Sequence, residues 1–277
     1  MIKKIICPTD FSKAAVNASE YAAKIAQLFS AELLFVNVQR VLPVGAELSF
    51  SGGVSDGVRK NSRDVAERLR EMSVEANMMF NITTDYEVDI TTKSLKKIIS
   101  SLGTDNSMIV MGTNGADDMF QYFFGSNTYQ VIKKSSCPVL VVPENISYGS
   151  IKKIVFAWDY TSKNKISFSI LNDLSTAYNP QFIFIHVSKH RTEISKELFK
   201  TVRDEIESVL GEDNDAEFEQ IFSDNIPESL NAYMIKSKAD LLSITFYDRG
   251  IMSNIFHGAA AKKLSEKLEY PVLVLHA

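Results

Sequence analysis

The chain has 277 residues, 45% of them hydrophobic, and a formal net charge of −4. That apolar share is too high for a disordered chain and is enough for two small domains, each with its own core, or one large one. The acidic balance argues against nucleic acid as the main partner, and no apolar run approaches the roughly 20 residues of a membrane span.

In chain order, the opening MIKKIICPTDFS turns polar before a signal-type apolar segment can form, which points to a cytoplasmic protein. Apolar, β-rich runs predict strands over 3–8, 32–38, 83–88, 108–112 and 139–142. Several are continuous rather than alternating, as in parallel strands buried on both faces. Between the first two, Ser12 is a helix cap, followed by Ala15, Ala18, Ala22, Ile25, Ala26 and Phe29 at helical spacing. The Gly-, Ser- and Val-rich stretch 41–57 reads as a surface loop. Leu95, Ile98, Ile99 and Leu102 mark another helix, with Gly103 as its C-cap, and a third helix is expected to start near Gly125. ENISYGS, 144–150, is a short polar linker. Further strands are expected over 153–157, 182–187, 217–222, 241–245 and 272–275. Cys7 and Cys137 lie in or beside apolar runs and lack zinc spacing, so buried reduced thiols are expected. The four histidines, His186, His190, His257 and His276, read as unpaired surface or site-lining residues.

The second half repeats the first. IKKI recurs at Ile2 and Ile151, Asp10 falls on Asp159, and LFVNV from Leu34 falls on IFIHV from Ile183, all at an offset of 149. CPVLVV from Cys137 matches YPVLVL from Tyr270 at an offset of 133. The second half is therefore shorter in its middle, and the 41–57 loop is the segment it is expected to lack. Residues 1–146 and 150–277 are thus two domains. Strand–helix alternation makes each an α/β, doubly wound, five-stranded parallel sheet flanked by helices. Such sheets bind ligands outside the carboxyl ends of the strands, where the strand order reverses.

Four segments follow strands in the first half: Pro8–Thr9–Asp10, Asn37–Val38, the long loop, and GTNGADDMFQYFFGSN from Gly112 to Asn127. In the last, Gly112, Gly115 and Gly125 leave backbone N–H groups open to an anion, and Ser126 adds a hydroxyl at a helix start. That is what a polyphosphate requires. Asp10, at a neighbouring strand tip, offers a carboxylate to a ribose hydroxyl or an adenine amine. Taken singly, each glycine reads as well as a turn or cap residue. SGGVSD, 51–56, resembles a pyrophosphatase loop, but it follows the wrong strand with the wrong residue order.

The spacing Gly112, Gly115, Gly125, Ser126, in register with Asp10, Val38 and CPVLVV, resembles the universal stress protein family. The resemblance implies that fold, of the adenine nucleotide alpha hydrolase-like type, and a role as a regulatory stress-response module. It implies ATP as ligand, with AMP or ADP left open and Mg2+ bridging the phosphates. Asp10 and Val38 would hold the adenosine, with Gly112, Gly115, Gly125, Ser126 and Asn127 around the phosphates and Pro8, Thr9 and Met111 lining the pocket. It also implies pairing of the two final strands, 139–142 with 272–275, as an intramolecular pseudo-dimer; a homo-oligomer and the protein partner are left open. In the second half Thr245 replaces Gly112, Asp248 replaces Gly115, Ala259 replaces Ser126 and Trp158 replaces Thr9, while Gly258 keeps the place of Gly125. One nucleotide per chain is therefore expected, with a degenerate second site. No catalytic base or nucleophile and no acidic metal cage is apparent. A slow ATPase or phosphotransferase, and a structural module without nucleotide, stand as the alternatives.

Overall fold

The computed structural model describes residues 1–40, 52–91, 95–104, 106–113, 121–158, 168–188, 196–210, 216–246 and 268–276. The first half runs β1 (Lys4–Pro8), α1 (Lys13–Phe29), β2 (Glu32–Arg40), α2 (Gly52–Phe80), β3 (Thr84–Thr91), α3 (Leu95–Leu102), β4 (Ser107–Thr113), α4 (Gln121–Ile132) and β5 (Val139–Pro143). The second runs β6 (Lys153–Ala157), α5 (Phe168–Tyr178), β7 (Gln181–Ser188), α6 (Lys196–Leu210), β8 (Glu217–Phe222), α7 (Ile226–Ser237), β9 (Leu241–Phe246) and β10 (Val272–His276). The strands form one sheet in the order β3-β2-β1-β4-β5-β10-β9-β6-β7-β8. All pairings are parallel except β5 with β10, which is antiparallel and joins Val141 to Val272.

The repeat read from the sequence reappears as sheet register. Lys4 faces Glu32 and Lys153 faces Gln181, each 149 residues on. Ile109 faces Val139 and Leu242 faces Val272, each 133 residues on. The expected loop over 41–57 needs correction at its end. Residues 52–57 belong to α2, which has 29 residues where α6 has 15. Gly52 and Gly57 are tolerated within a long helix. Residues 41–51 lie outside the described residues.

Alternation along the central strands divides the core in two. Ile5, Cys7, Leu33, Phe35, Met108 and Val110 face α1 and α2, in one cluster with Phe156, Phe182 and Phe184 beneath α5 and α6. Ile6, Leu34, Val36, Ile109, Met111 and Val139 face the opposite side, with Ile99 of α3 and Val131 of α4. Each such side chain removed from water contributes about 1.5–3 kcal/mol. The small residues Ala15, Ala18, Ala22 and Ala26 are buried on α1, and the Ser12 hydroxyl accepts the Ala15 N–H at 3.3 Å. Both cysteines are buried and free, and burial pushes the Cys7 thiol up to about 12.

The linker is packed. Asn17 Nδ2 donates to the carbonyls of Pro143 and Ile146, both at 2.8 Å, and the Tyr21 hydroxyl donates to Ser147 O at 2.9 Å. Tyr148 meets Tyr21 edge-on with ring centroids 5.1 Å apart, and its hydroxyl lies 3.2 Å from that of Tyr178 in α5. The Ile2 N–H donates to the buried Asp173 of α5 at 3.1 Å, tying the first half to the second.

Across the seam, His276 Nε2 lies 2.7 Å from the carbonyl of Ile132, at the end of α4, to which it donates. His186 is 5% exposed, and its Nδ1 lies 3.0 Å from Trp158 O. Two of the four histidines are thus bonded rather than unpaired; His190 and His257 lie outside the described residues. Burial holds the His276 imidazole below its ordinary value. Between about 6.5 and that lower folded value the unfolded chain binds the extra proton. Stability is therefore complete above that window and falls as pH drops through it. Urea unfolding between pH 7 and 5 should show a steeper loss for the wild-type protein than for His276→Asn. Parallel profiles would contradict this.

Candidate functional site

In the first half β1 lies between β2 and β4, so strand order reverses beside β1. In sheets of this kind the ligand crevice lies outside the carboxyl ends of the strands at such a reversal, here those of β1 and β4, and six of the predicted residues lie at or near strand ends there. Pro8 ends β1 with Thr9 and Asp10 just beyond, Val38 lies near the end of β2, and Met111 and Gly112 lie near the end of β4.

Hydrogen bonds lock these ends together. Thr9 N–H donates to Val36 O at 2.9 Å, and Asn37 Nδ2 donates to Thr9 O at 2.7 Å. The Thr9 hydroxyl accepts the Phe11 N–H at 3.1 Å, and Asp10 Oδ1 accepts the Ser12 N–H at 3.0 Å. Thr9 is buried, whereas Asp10 is exposed. A carboxylate has roughly four acceptor sites, so the bond to Ser12 leaves acceptor capacity for a ligand. Phe11 adopts φ 63°, a left-handed conformation costing a bulky residue about 1–3 kcal/mol. The Arg68 guanidinium of α2 lies 3.9 Å from the centroid of its ring. Neither Phe11 nor Arg68 stood out in the sequence. A phenylalanine between Asp10 and a cap serine carries no local sign of positive φ.

Gly112 has a concrete reason to lack a side chain. A Cβ there would lie 2.2 Å from Ala14 O and 2.4 Å from Ala14 C. Only glycine lets the first turn of α1 rest on β4. Its carbonyl accepts the buried Thr128 hydroxyl of α4 at 3.4 Å, which fixes α4 against β4 beside the exposed Asn127. Met111 is 5% exposed and packs among Ile6, Val141 and their neighbours beneath the crevice floor. Val38 is half-buried against the same cluster.

The expectation that a helix starts near Gly125 needs correction. The described part of α4 already begins at Gln121, so Gly125 and Ser126 fall in its second turn. Helical hydrogen bonds take up N–H groups beyond the first turn. An anion would therefore meet the backbone N-terminal to these two residues. Gly115 lies outside the described residues.

The second half keeps the scaffold of the crevice and changes its contents. Trp158 N–H donates to Ile185 O at 2.8 Å, as Thr9 does to Val36. His186 takes the place of Asn37, its Nδ1 bonding the carbonyl of Trp158. Thr245, facing Leu275 as Gly112 faces Val142, is 1% exposed, and its hydroxyl has no hydrogen-bond partner among the described residues. Asp159, Asp248, Gly258 and Ala259 lie outside the described residues. No described group of histidine, cysteine and carboxylate side chains could hold a metal ion, and no described helix is long and apolar enough to cross a membrane.

Universal stress protein MJ0531 of Methanocaldococcus jannaschii is 30% identical over 144 residues, 51% of this chain and 82% of its own. Universal stress protein MJ0577 of the same organism is 32% identical over 157 residues, 51% of this chain and 95% of its own. A universal stress protein structure from Archaeoglobus fulgidus shares the whole architecture, with a TM-score of 0.72 at 17% identity, covering 99% of this chain and 98% of that one. The model of the universal stress protein family matches residues 1–143, more than half of the sequence, and the chain belongs to that family.

Proposed function

We propose that the chain is a tandem member of its family, with domains at 1–146 and 150–277, that binds one adenine nucleotide, ATP foremost, in the first. In this reading it acts in the cytoplasm as a regulatory module of the stress response, nucleotide occupancy biasing its conformation or partner binding. The observation that carries the reading is the convergence of Asp10, Val38 and Gly112 on one strand-order reversal, in register with Gly115, Gly125 and Ser126. Asp10 has the exposure and acceptor capacity to take a hydroxyl or amine of the adenosine, with Val38 beside it. Pro8, Thr9 and Met111 support the floor. Gly112 and Asn127, with Gly115, Gly125 and Ser126 assigned by their spacing in the sequence, would surround the phosphates, where Mg2+ would neutralise charge. The second crevice, with Trp158, His186 and Thr245, is assigned no nucleotide.

Titration of the full chain with ATP should give saturable binding, weakened at least tenfold in Asp10→Ala with little change in melting temperature. Absence of binding to the wild-type protein contradicts the proposal. Full recovery of ATP after long incubation separates a binding module from a slow ATPase.

A further inference from the structure

Among the described residues, five other than glycine have positive φ. Ser30, Asn81, Asn179 and Lys238 each directly follow a helix, where a left-handed residue is a common terminator. Phe11 is different. It lies between the end of β1 and the cap of α1, adjoining Asp10. For a bulky side chain such a backbone persists only where the surroundings over-determine it. Two of the contacts that hold it, Phe11 N–H to Thr9 Oγ1 and Ser12 N–H to Asp10 Oδ1, lie inside the turn. From outside the turn the ring has two supports: it packs by its half-buried side against the core, and Arg68, on the exposed side of α2, sets its guanidinium 3.9 Å from the Phe11 centroid. A cation over an aromatic face is attracted by the ring quadrupole, and the planar guanidinium also stacks on it.

We infer that Arg68 is a positioning residue for nucleotide binding, its stack on Phe11 holding the β1–α1 turn in the conformation that presents the Asp10 carboxylate. The inference rests on the reading of Asp10 as a ligand-binding group. Asp10 Oδ1 is committed to the Ser12 N–H, so the direction of the carboxylate follows the turn. With one side of the Phe11 ring on the core, the guanidinium closes over the ring and holds the turn in place. Arg68 thus acts on the ligand through Phe11 and Asp10.

The test is a double-mutant cycle on the full chain, read by ATP titration, together with amide hydrogen exchange of the protein without nucleotide. Arg68→Ala should weaken ATP about tenfold, yet add nothing in an Asp10→Ala background. Phe11→Gly, which relieves the φ penalty and removes the ring, should likewise abolish the effect of Arg68→Ala. Exchange at the Phe11 and Ser12 amides should accelerate in Arg68→Ala while the interior of α1 is unchanged. A further tenfold loss on adding Arg68→Ala to Asp10→Ala would show that Arg68 meets the nucleotide directly and overturn the inference. Unchanged exchange at Phe11 and Ser12 would also overturn it. Should the wild-type protein bind no ATP, the reading of the site fails, and the exchange measurement still decides the fate of the clamp.

Discussion

Replacing Gly112 by valine should lower stability by about 3 kcal/mol and the midpoint of thermal unfolding by roughly 6–12 °C. The first side-chain atom would meet Ala14 O at 2.2 Å, Ala14 C at 2.4 Å and Ala15 N at 2.9 Å, all of them backbone. No rotamer change relieves such a clash; α1 must lift from β4. That movement disturbs the helix that buries Ala18, Tyr21, Ala22 and Ile25, and displaces its Ser12 cap together with the Asp10 turn. Nucleotide affinity should fall with stability. Gly149 is the internal control, because nothing lies within 4 Å of a Cβ placed there. Gly149→Ala should leave the midpoint unchanged or raise it slightly, since alanine narrows the unfolded ensemble. Equal losses in the two variants would refute the close-approach explanation.

A carboxylate at the centre of the sheet should do more. Val141 is fully buried and faces Val272 where β5 and β10 run antiparallel. Val141→Asp places an unpaired charge there, and uncompensated buried charges typically cost about 3–5 kcal/mol. The damage falls on the one pairing that joins the two halves of the sheet. Urea unfolding should therefore resolve into two transitions in place of one, and lowering the pH should recover part of the loss as the buried carboxyl takes up a proton. A single unshifted transition would show that β5 and β10 do not carry the seam.

Much of this was legible because it depends on short-range patterning. Strands buried on both faces read as apolar runs, which is why 153–157 is legible to the residue; the edge strand 217–222 is legible instead from its alternating, half-exposed pattern, and the other strands match within a few residues. Matched segments at two fixed offsets reported register, since aligned strands in two copies of one fold keep the same partners. What escaped depends on what a segment meets in space. The glycines of 52–57 carry a turn signal, but they extend α2. The Gly125–Ser126 pair carries a helix-start signal, but α4 already runs from Gln121. The positive φ of Phe11, the reach of Arg68 and the bond from His276 to Ile132 join positions far apart in sequence or set by their surroundings, and no local pattern announces them.

One crevice of two, that of the first half, is proposed to take an adenine nucleotide. Native mass spectrometry of the intact chain over a series of ATP concentrations measures this directly. A single added nucleotide is expected at saturation, lost in Asp10→Ala. A chain that stays bare at saturating ATP, or one that takes up two nucleotides with similar affinity, would contradict it.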